Sequence, residues 1–169
     1  MFKIGELVVH GTAGVCEVME IGTPELYKEK APKQYYTLVS VNDSSKIIYT
    51  PVENVKVYLR SAMSKIQCEQ FLDSLPDVEA KEGWNGRTMI EEFRADATTR
   101  HCIACAEWIK ALYLLQEKKY QNGKKQLTGT EKNCLRLAET YLYEELADVL
   151  VMSVAEVKAE VLKRLGLTE

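Results

Sequence analysis

The sequence has no long apolar segment and no dense cysteine framework. No apolar run approaches the ~20 residues that a membrane-spanning helix needs. The start, MFKIGELVVH, has no cationic segment leading into a long apolar one, so we expect no secretory signal and no membrane association. The five cysteines lack the regular spacing of a disulfide scaffold. We therefore expect a cytoplasmic protein whose cysteines are buried, small apolar side chains.

Motifs of catalysis are also missing. The sequence contains no GxSxG, HExxH or Walker motif and no glycine-rich turn between a strand and a helix. Its two histidines, His10 and His101, do not place a base beside a nucleophile at any recognisable spacing. We predict no enzyme activity, no small-molecule substrate, no cofactor and no metal.

One segment, His101-Cys-Ile-Ala-Cys105, invites a metal or redox interpretation. Zinc needs four ligands, and the sequence has no second cysteine pair or histidine cluster. A thioredoxin-like motif would join a strand to a helix, whereas these residues lie inside a helical pattern. Core packing of Cys102 and Cys105 is the favoured interpretation, and a thiol- or metal-dependent redox protein is the alternative.

Acidic residues slightly outnumber basic ones overall, but positive charge is locally concentrated. The net charge is -3, which gives no global sign of nucleic-acid binding. Residues 110–136 nevertheless carry seven basic side chains against two acidic ones, and residues 139–160 reverse that balance. The segregation predicts a basic patch on a globally acidic protein. Solvated helix faces and a lysine-rich loop are the simpler explanation.

Residues 1–60 predict a small β module. Short runs rich in Val, Ile and Tyr are separated by turn signals such as Gly11 to Gly14 and Asn42 to Ser45. Five brief strands at this spacing predict a barrel of the SH3 or Tudor kind. The five runs are ELVVH, GVCEVMEI, YYTLVSV, KIIYT and VKVYL.

The second of these runs has apolar residues on both faces. Strict alternation places Cys16 and Val18 on one face and Val15, Met19 and Ile21 on the other. Because a small barrel has only one interior, the outward apolar residues are expected to contact a partner.

From about residue 61 the pattern becomes helical, so the fold class is α+β. Residues 61–83 are predicted as a short helix and a polar linker, and residues 84–169 as a compact all-α domain. Capping boxes are expected at Ser64, Thr128 and Ser153. After the first helix, which ends near Leu75, helices are predicted over about 85–95, 98–121, 129–149 and 153–165.

The two tryptophans have different surroundings in the sequence. Trp108 falls on the apolar stripe of a helix, which predicts core packing. Trp84 lies in EGWNGR, between Gly83 and Gly86, after a polar stretch without apolar partners. We expect this indole to be exposed for a partner, with packing under the following helix as the alternative.

Several parts of the chain together resemble the CarD (CdnL) family of bacterial transcription regulators. They are the start MFKIGELVVHGTAGVCEV, the segment Thr50-Pro-Val-Glu-Asn54, Trp84 at the opening of the helical part, and Leu127-Thr-Gly-Thr-Glu-Lys132 before a long helix. The resemblance in order and spacing spans nearly the whole chain.

The resemblance implies two binding functions. The N-terminal Tudor-like module, similar to that of transcription-repair coupling factors, would bind the RNA polymerase β subunit by pairing a strand edge. The helical module would bind promoter DNA in the minor groove without reading sequence, and its Trp would hinder closure of the upstream edge of the bubble. The implied polymerase-binding residues are Glu20, Ile21, Thr23, Lys46, Ile48 and Tyr49. The implied DNA-binding residues are Trp84, Arg87, Lys118, Lys119, Lys124, Lys125, Lys132 and Arg136.

This sequence departs from the family pattern in its charges. Only Arg87 is basic immediately after Trp84, and Thr23 and Tyr49 stand where relatives carry arginines. Weaker DNA affinity, or compensation by the lysines of residues 118–125, is therefore expected. The alternative function is a protein–protein interaction module that does not touch DNA.

Overall fold

The structure is a computed structural model that describes residues 1–25, 33–53, 57–98, 101–123 and 126–167. The chain forms two compact units, Met1–Ala62 and Met63–Glu169. Within the described ranges, none of the helices combines the length and apolarity that crossing a bilayer requires.

In the first unit, the residues that the structure describes form a five-stranded antiparallel sheet with the strand order β4-β3-β2-β1-β5. Its strands are β1 (Leu7–His10), β2 (Gly14–Gly22), β3 (Tyr35–Ser40), β4 (Ile47–Pro51) and β5 (Leu59–Ser61). The predicted α+β class with an N-terminal Tudor-like module is confirmed. Of the predicted run VKVYL, Val55 and Lys56 lie outside the described residues, and β5 begins at its last residue, Leu59.

A β-bulge in β2 corrects the predicted faces of that strand. Val18 pairs with Leu38 and Glu20 pairs with Thr37, so Met19 is an extra residue without a partner in the β3 ladder. The extra residue shifts the alternation by one. Met19 is thus half exposed, whereas Ile21 returns to the inner face and packs on the core around Val18. Strict alternation wrongly placed Ile21 on the outside.

The described residues of the second unit form five α-helices. They are α1 (Lys65–Ser74), α2 (Met89–Thr98), α3 (Cys102–Gln121), α4 (Gly129–Leu150) and α5 (Val154–Arg164), with a short 3-10 turn at Leu75–Asp77 after α1. All three predicted capping boxes are present, pairing Ser64 with Gln67, Thr128 with Glu131 and Ser153 with Glu156. The helix predicted from residue 85 begins only at Met89, and α3 begins at Cys102 rather than at residue 98.

The segment predicted as a linker is part of the helical unit. The core of this unit includes Cys68, Phe71 and Leu75 from α1 and the 3-10 turn, together with Val78. These residues pack with the buried stripes of α3, α4 and α5, where Trp108 is 1% exposed as its helical spacing predicted. Residues 63–78 therefore pack into this unit, because their apolar side chains belong to its core.

Candidate functional site

Trp84 is partly buried and has an aromatic neighbour. Its ring centroid lies 5.4 Å from that of Trp108, with an angle of 44° between the planes. The indole N–H donates to the carbonyl oxygen of Lys81 at 2.8 Å. The expectation of an indole without apolar neighbours on an exposed hinge is therefore wrong. One face or edge of the ring is covered by the protein, and the remainder faces solvent.

Trp108, on which Trp84 packs, is itself held by a carboxylate on α2. Trp108 is buried, and its indole N–H donates to Asp96 Oδ2 at 2.8 Å. Lys81 Nζ lies 2.8 Å from the same oxygen. The hydrogen bond with Asp96 raises the pKa of the Lys81 ammonium and outweighs its partial burial, which acts in the opposite direction. We call Lys81, Trp84, Asp96 and Trp108 the Trp84 cluster.

The chain leading to Trp84 is tied to α3. Lys110 Nζ donates to the carbonyl oxygen of Val78 at 2.8 Å, and the backbone N–H of Lys81 donates to the carbonyl oxygen of Glu107 at 3.1 Å. These contacts are one turn of α3 apart. They convert a polar segment without helical or strand pattern into a fixed support for the indole.

The turn around Trp84 depends on its two flanking residues. Gly83 has φ +82°, in the left-handed region that side chains avoid. Asn85 Oδ1 accepts from the backbone N–H of Arg87 at 2.9 Å, which begins the turn into α2. Trp84 consequently lies on a defined turn before α2, not on the helix itself.

The predicted basic residues converge where α3 ends and α4 begins. Lys118 and Lys119 are in the last turn of α3, and Lys132 and Arg136 follow on the first turns of α4. The ion pair between Lys119 and Glu131 joins the two helices at this point. We call Lys118, Lys119, Lys132 and Arg136 the basic corner. Lys124 and Lys125 lie outside the described residues.

The side chains of the basic corner differ in their exposure and in whether their charge is paired with a carboxylate. Lys118 is exposed, whereas the ion pair of Lys119 is partly buried, with both side chains under 20% exposed. Burial acts to raise the pKa of Glu131, but hydrogen bonds from Lys119 and Thr128 outweigh it and the pKa is lowered. Lys119 therefore has a structural role that its sequence position did not reveal. Lys132 bonds Gln126 and Arg136 bonds Asn133, both on the surface.

The basic corner and Trp84 are separated along α3. Trp108, which contacts Trp84, precedes Lys118 by ten residues, a rise of about 15 Å. Arg87 is exposed and close to Trp84 in sequence. The structure thus does not bring all the predicted DNA-binding residues into one cluster.

In the first unit, β4 is an edge strand. It pairs with β3 on one side and ends the strand order. An edge strand presents a row of N–H and C=O groups to which another strand can pair. Lys46 immediately precedes β4, and Ile48 and Tyr49 lie within it. Three of the six predicted polymerase-binding residues are therefore on this edge.

The other three lie at the end of β2 or just beyond it. Glu20 is exposed and shares a cross-strand row with Thr37 and Tyr49, on the face opposite the core. Ile21 points to the core, as described above. The hydroxyl of Thr23 donates to the carbonyl oxygen of Lys33 at 3.0 Å, joining the two ends of the β2–β3 connection. Thr23 and Ile21 consequently have structural contacts of their own.

Ile47 lies on the same edge but is not among the predicted polymerase-binding residues. Ile47 is 52% exposed and shares the outer face with Tyr49, whereas the predicted Ile48 packs toward the core. Period-two alternation along KIIYT could have made this distinction, because it places residues 47 and 49 together. An exposed isoleucine on an edge strand is a stronger candidate for contact than its partly buried neighbour.

The two cysteines of the segment His101-Cys-Ile-Ala-Cys105 lie in the core of the helical unit. Cys102 and Cys105 are buried and not disulfide-bonded, and Cys102 Sγ donates to Glu145 Oε2 at 3.3 Å. Among the residues that the structure describes, no group of three or more His, Cys, Asp or Glu side chains is arranged to hold a metal ion. These contacts fit the core-packing interpretation of this segment.

The described residues of the first unit thus form an antiparallel sheet with β4 at one edge. Residues 2–65 match the model of the CarD-like/TRCF RID domain, a family of transcription-associated, non-enzymatic modules that interact with RNA polymerase. The chain carries a CarD-like/TRCF RID domain, and its resemblance to the CarD family is confirmed over these residues. No curated protein matches the chain significantly.

Proposed function

We propose that the chain is a transcription regulator that binds RNA polymerase through its first unit and stabilises the open promoter complex through its helical unit. The first part extends the membership of residues 2–65 in a family that interacts with RNA polymerase. The second part is carried by one observation. The Trp84 indole is held by the protein on one side while part of the ring remains exposed.

The β subunit of RNA polymerase would pair with the β4 edge. Of the two edge strands, β4 has five residues and β5 only three, so β4 offers more main-chain groups for pairing. Main-chain hydrogen bonds would supply affinity, and the outward side chains of Ile47 and Tyr49 would supply specificity. Glu20 lies across the sheet in the row of Tyr49 and would contribute a charged contact.

Trp84 would act as an apolar wedge in the minor groove. Its single hydrogen-bond donor is already occupied by the Lys81 carbonyl, so the exposed part of the ring cannot read base edges by donation. Insertion next to an unstacked step offsets part of an unstacking cost of a few kcal/mol, whatever the sequence. Since ~1.4 kcal/mol changes an equilibrium tenfold, a modest preference for open DNA would prolong the open complex.

The basic corner would contact phosphates. Lysines that face phosphates release counterions and add affinity independently of sequence. A distance of about 15 Å along α3 separates the basic corner from Trp108, on which Trp84 packs. Neighbouring phosphates of one strand are spaced ~3.4 Å along the duplex axis, so both elements could contact the same DNA several base pairs apart.

A complex assembled from purified components tests the proposal. Polymerase, the protein and an open promoter template with a preformed bubble would be combined and the upstream edge footprinted. We expect the protein to extend protection at that edge only when polymerase is present, and the extension to be reduced with Trp84→Ala. Protection that is identical for both proteins would exclude the wedge.

A second candidate is an interaction module that binds polymerase and no DNA. The observation that favours it is the ion pair of Lys119 with Glu131, because charge committed to a neighbouring carboxylate is less available to phosphates. Under this alternative the protein would still bind polymerase, but the footprint on promoter DNA would be unchanged.

A further inference from the structure

A single carboxylate oxygen contacts both residues that support Trp84. Asp96 Oδ2 accepts the indole N–H of Trp108 and contacts the ammonium of Lys81, each at 2.8 Å. Trp108 is the ring on which Trp84 packs, and Lys81 supplies the carbonyl that accepts the Trp84 N–H. Asp96, Lys81 and Trp108 are not among the predicted DNA-binding residues.

We infer that Asp96 is a positioning residue for Trp84, acting through Lys81 and Trp108. The inference rests on the proposed function, because it assigns Asp96 the task of holding the wedge in one orientation. Asp96 does not itself contact DNA in this account. The negative charge of Asp96 would repel a DNA phosphate. The ion pair of Asp96 with the Lys81 ammonium offsets this repulsion.

The physical reason is the cost of ordering a side chain when DNA binds. An indole that moves freely must lose that freedom on insertion, whereas an indole already fixed by the protein does not. Removing Asp96 breaks the ion pair of the Lys81 ammonium and leaves the buried Trp108 N–H without this acceptor. Both effects loosen the surface against which Trp84 packs.

Hydrogen exchange of the two indole N–H groups tests the positioning without any DNA. The signals of the full-length protein would be separated by NMR and assigned with Trp84→Phe. In Asp96→Ala we expect the Trp84 indole N–H to exchange at least about tenfold faster, which corresponds to ~1.4 kcal/mol. Asp96→Asn, which keeps an oxygen for Trp108 but loses the charge opposite Lys81, should give an intermediate rate.

Glu91→Gln is the matched control, since Glu91 is an exposed carboxylate on the same helix. It should leave both indole N–H rates unchanged. Backbone amides of α5 report whether Asp96→Ala has loosened the whole helical unit. Should the fold be lost in Asp96→Ala, the comparison of Asp96→Asn with Glu91→Gln decides. A Trp84 N–H rate in Asp96→Asn equal to that in Glu91→Gln would overturn the inference.

Open-complex lifetime then separates the inference from the proposed function. We expect Asp96→Asn to shorten the lifetime part of the way toward the value of Trp84→Ala, with polymerase affinity unchanged. If Trp84→Ala shortens the lifetime and Asp96→Asn does not, despite faster N–H exchange, the positioning role is wrong. If Trp84→Ala itself has no effect, the proposed function fails, and the positioning role in DNA binding falls with it.

Discussion

Lys118 and Lys119 are adjacent lysines whose roles should differ, and a matched pair of substitutions separates them. Replacing each by methionine removes the charge while keeping an apolar stem. Lys119→Met breaks the partly buried ion pair with Glu131, whereas Lys118 is exposed at the end of α3. We expect Lys119→Met to destabilise the protein and Lys118→Met to leave its stability unchanged.

The magnitude follows from the burial of the pair. Exposed ion pairs contribute roughly 0.2–1 kcal/mol. The Lys119–Glu131 side chains are 19% and 12% exposed, so we place this contact at the upper end, about 1 kcal/mol. For a cooperative unit of about 100 residues, this lowers Tm by about 4–8 °C. Differential scanning calorimetry would measure the shift, with Lys118→Met expected within ~0.5 kcal/mol of the wild type.

DNA binding should show the opposite order. If Lys118 contacts a phosphate, Lys118→Met reduces the slope of log K against log salt by about 0.9, and Lys119→Met changes it less because that charge is paired with Glu131. Titrations at several salt concentrations with duplex DNA would measure both slopes. Lys119→Met with wild-type stability and a slope as reduced as that of Lys118→Met would refute the structural role of Lys119.

Three further predictions concern the turn before Trp84, the start of α4 and the β4 edge. Gly83→Ala should destabilise the protein by about 1 kcal/mol because the φ of Gly83 is +82°. Gly86→Ala should be neutral or stabilising, because Gly86 has open space at its Cβ position and no positive φ. Urea unfolding of both variants measures the difference, and equal stabilities would contradict the reasoning. The lowered pKa of Glu131 means that its stabilisation is present above the ordinary carboxyl pKa and is lost as pH falls through the lowered value, so Glu131→Gln should be less stable at neutral pH and flatten the acid limb of stability against pH. Ile47→Asp should weaken polymerase binding at least tenfold, while Ile66→Asp, which also replaces an exposed isoleucine but on α1, should not; biolayer interferometry with immobilised polymerase compares them, and equal affinities would remove the β4 edge from the interface.

Features that depend on residues close together in the sequence could be predicted without a structure. Each capping box joins residues three apart, so Thr128 and Glu131 could be recognised as a helix start before any tertiary contact was known. The burial of Trp108 likewise followed from its spacing on one helix. Both features depend on residues within a few positions of one another, so the sequence alone predicts them.

The contacts that shape the candidate site join distant parts of the chain. Trp84 and Trp108 are 24 residues apart, and nothing in EGWNGR indicates that an indole from α3 lies beneath it. The bulge at Met19 becomes visible only through the register of β2 against β3. The acceptor for the Trp84 N–H is a backbone carbonyl, which every residue possesses and no sequence pattern marks.

The lifetime of open promoter complexes tests the central claim most directly. Complexes formed with saturating wild-type protein or Trp84→Ala would be challenged with competitor DNA and their decay followed, with polymerase affinity measured separately for both proteins. The account predicts equal affinity for polymerase and a lifetime several-fold shorter with Trp84→Ala. Equal affinity with equal lifetimes would contradict it.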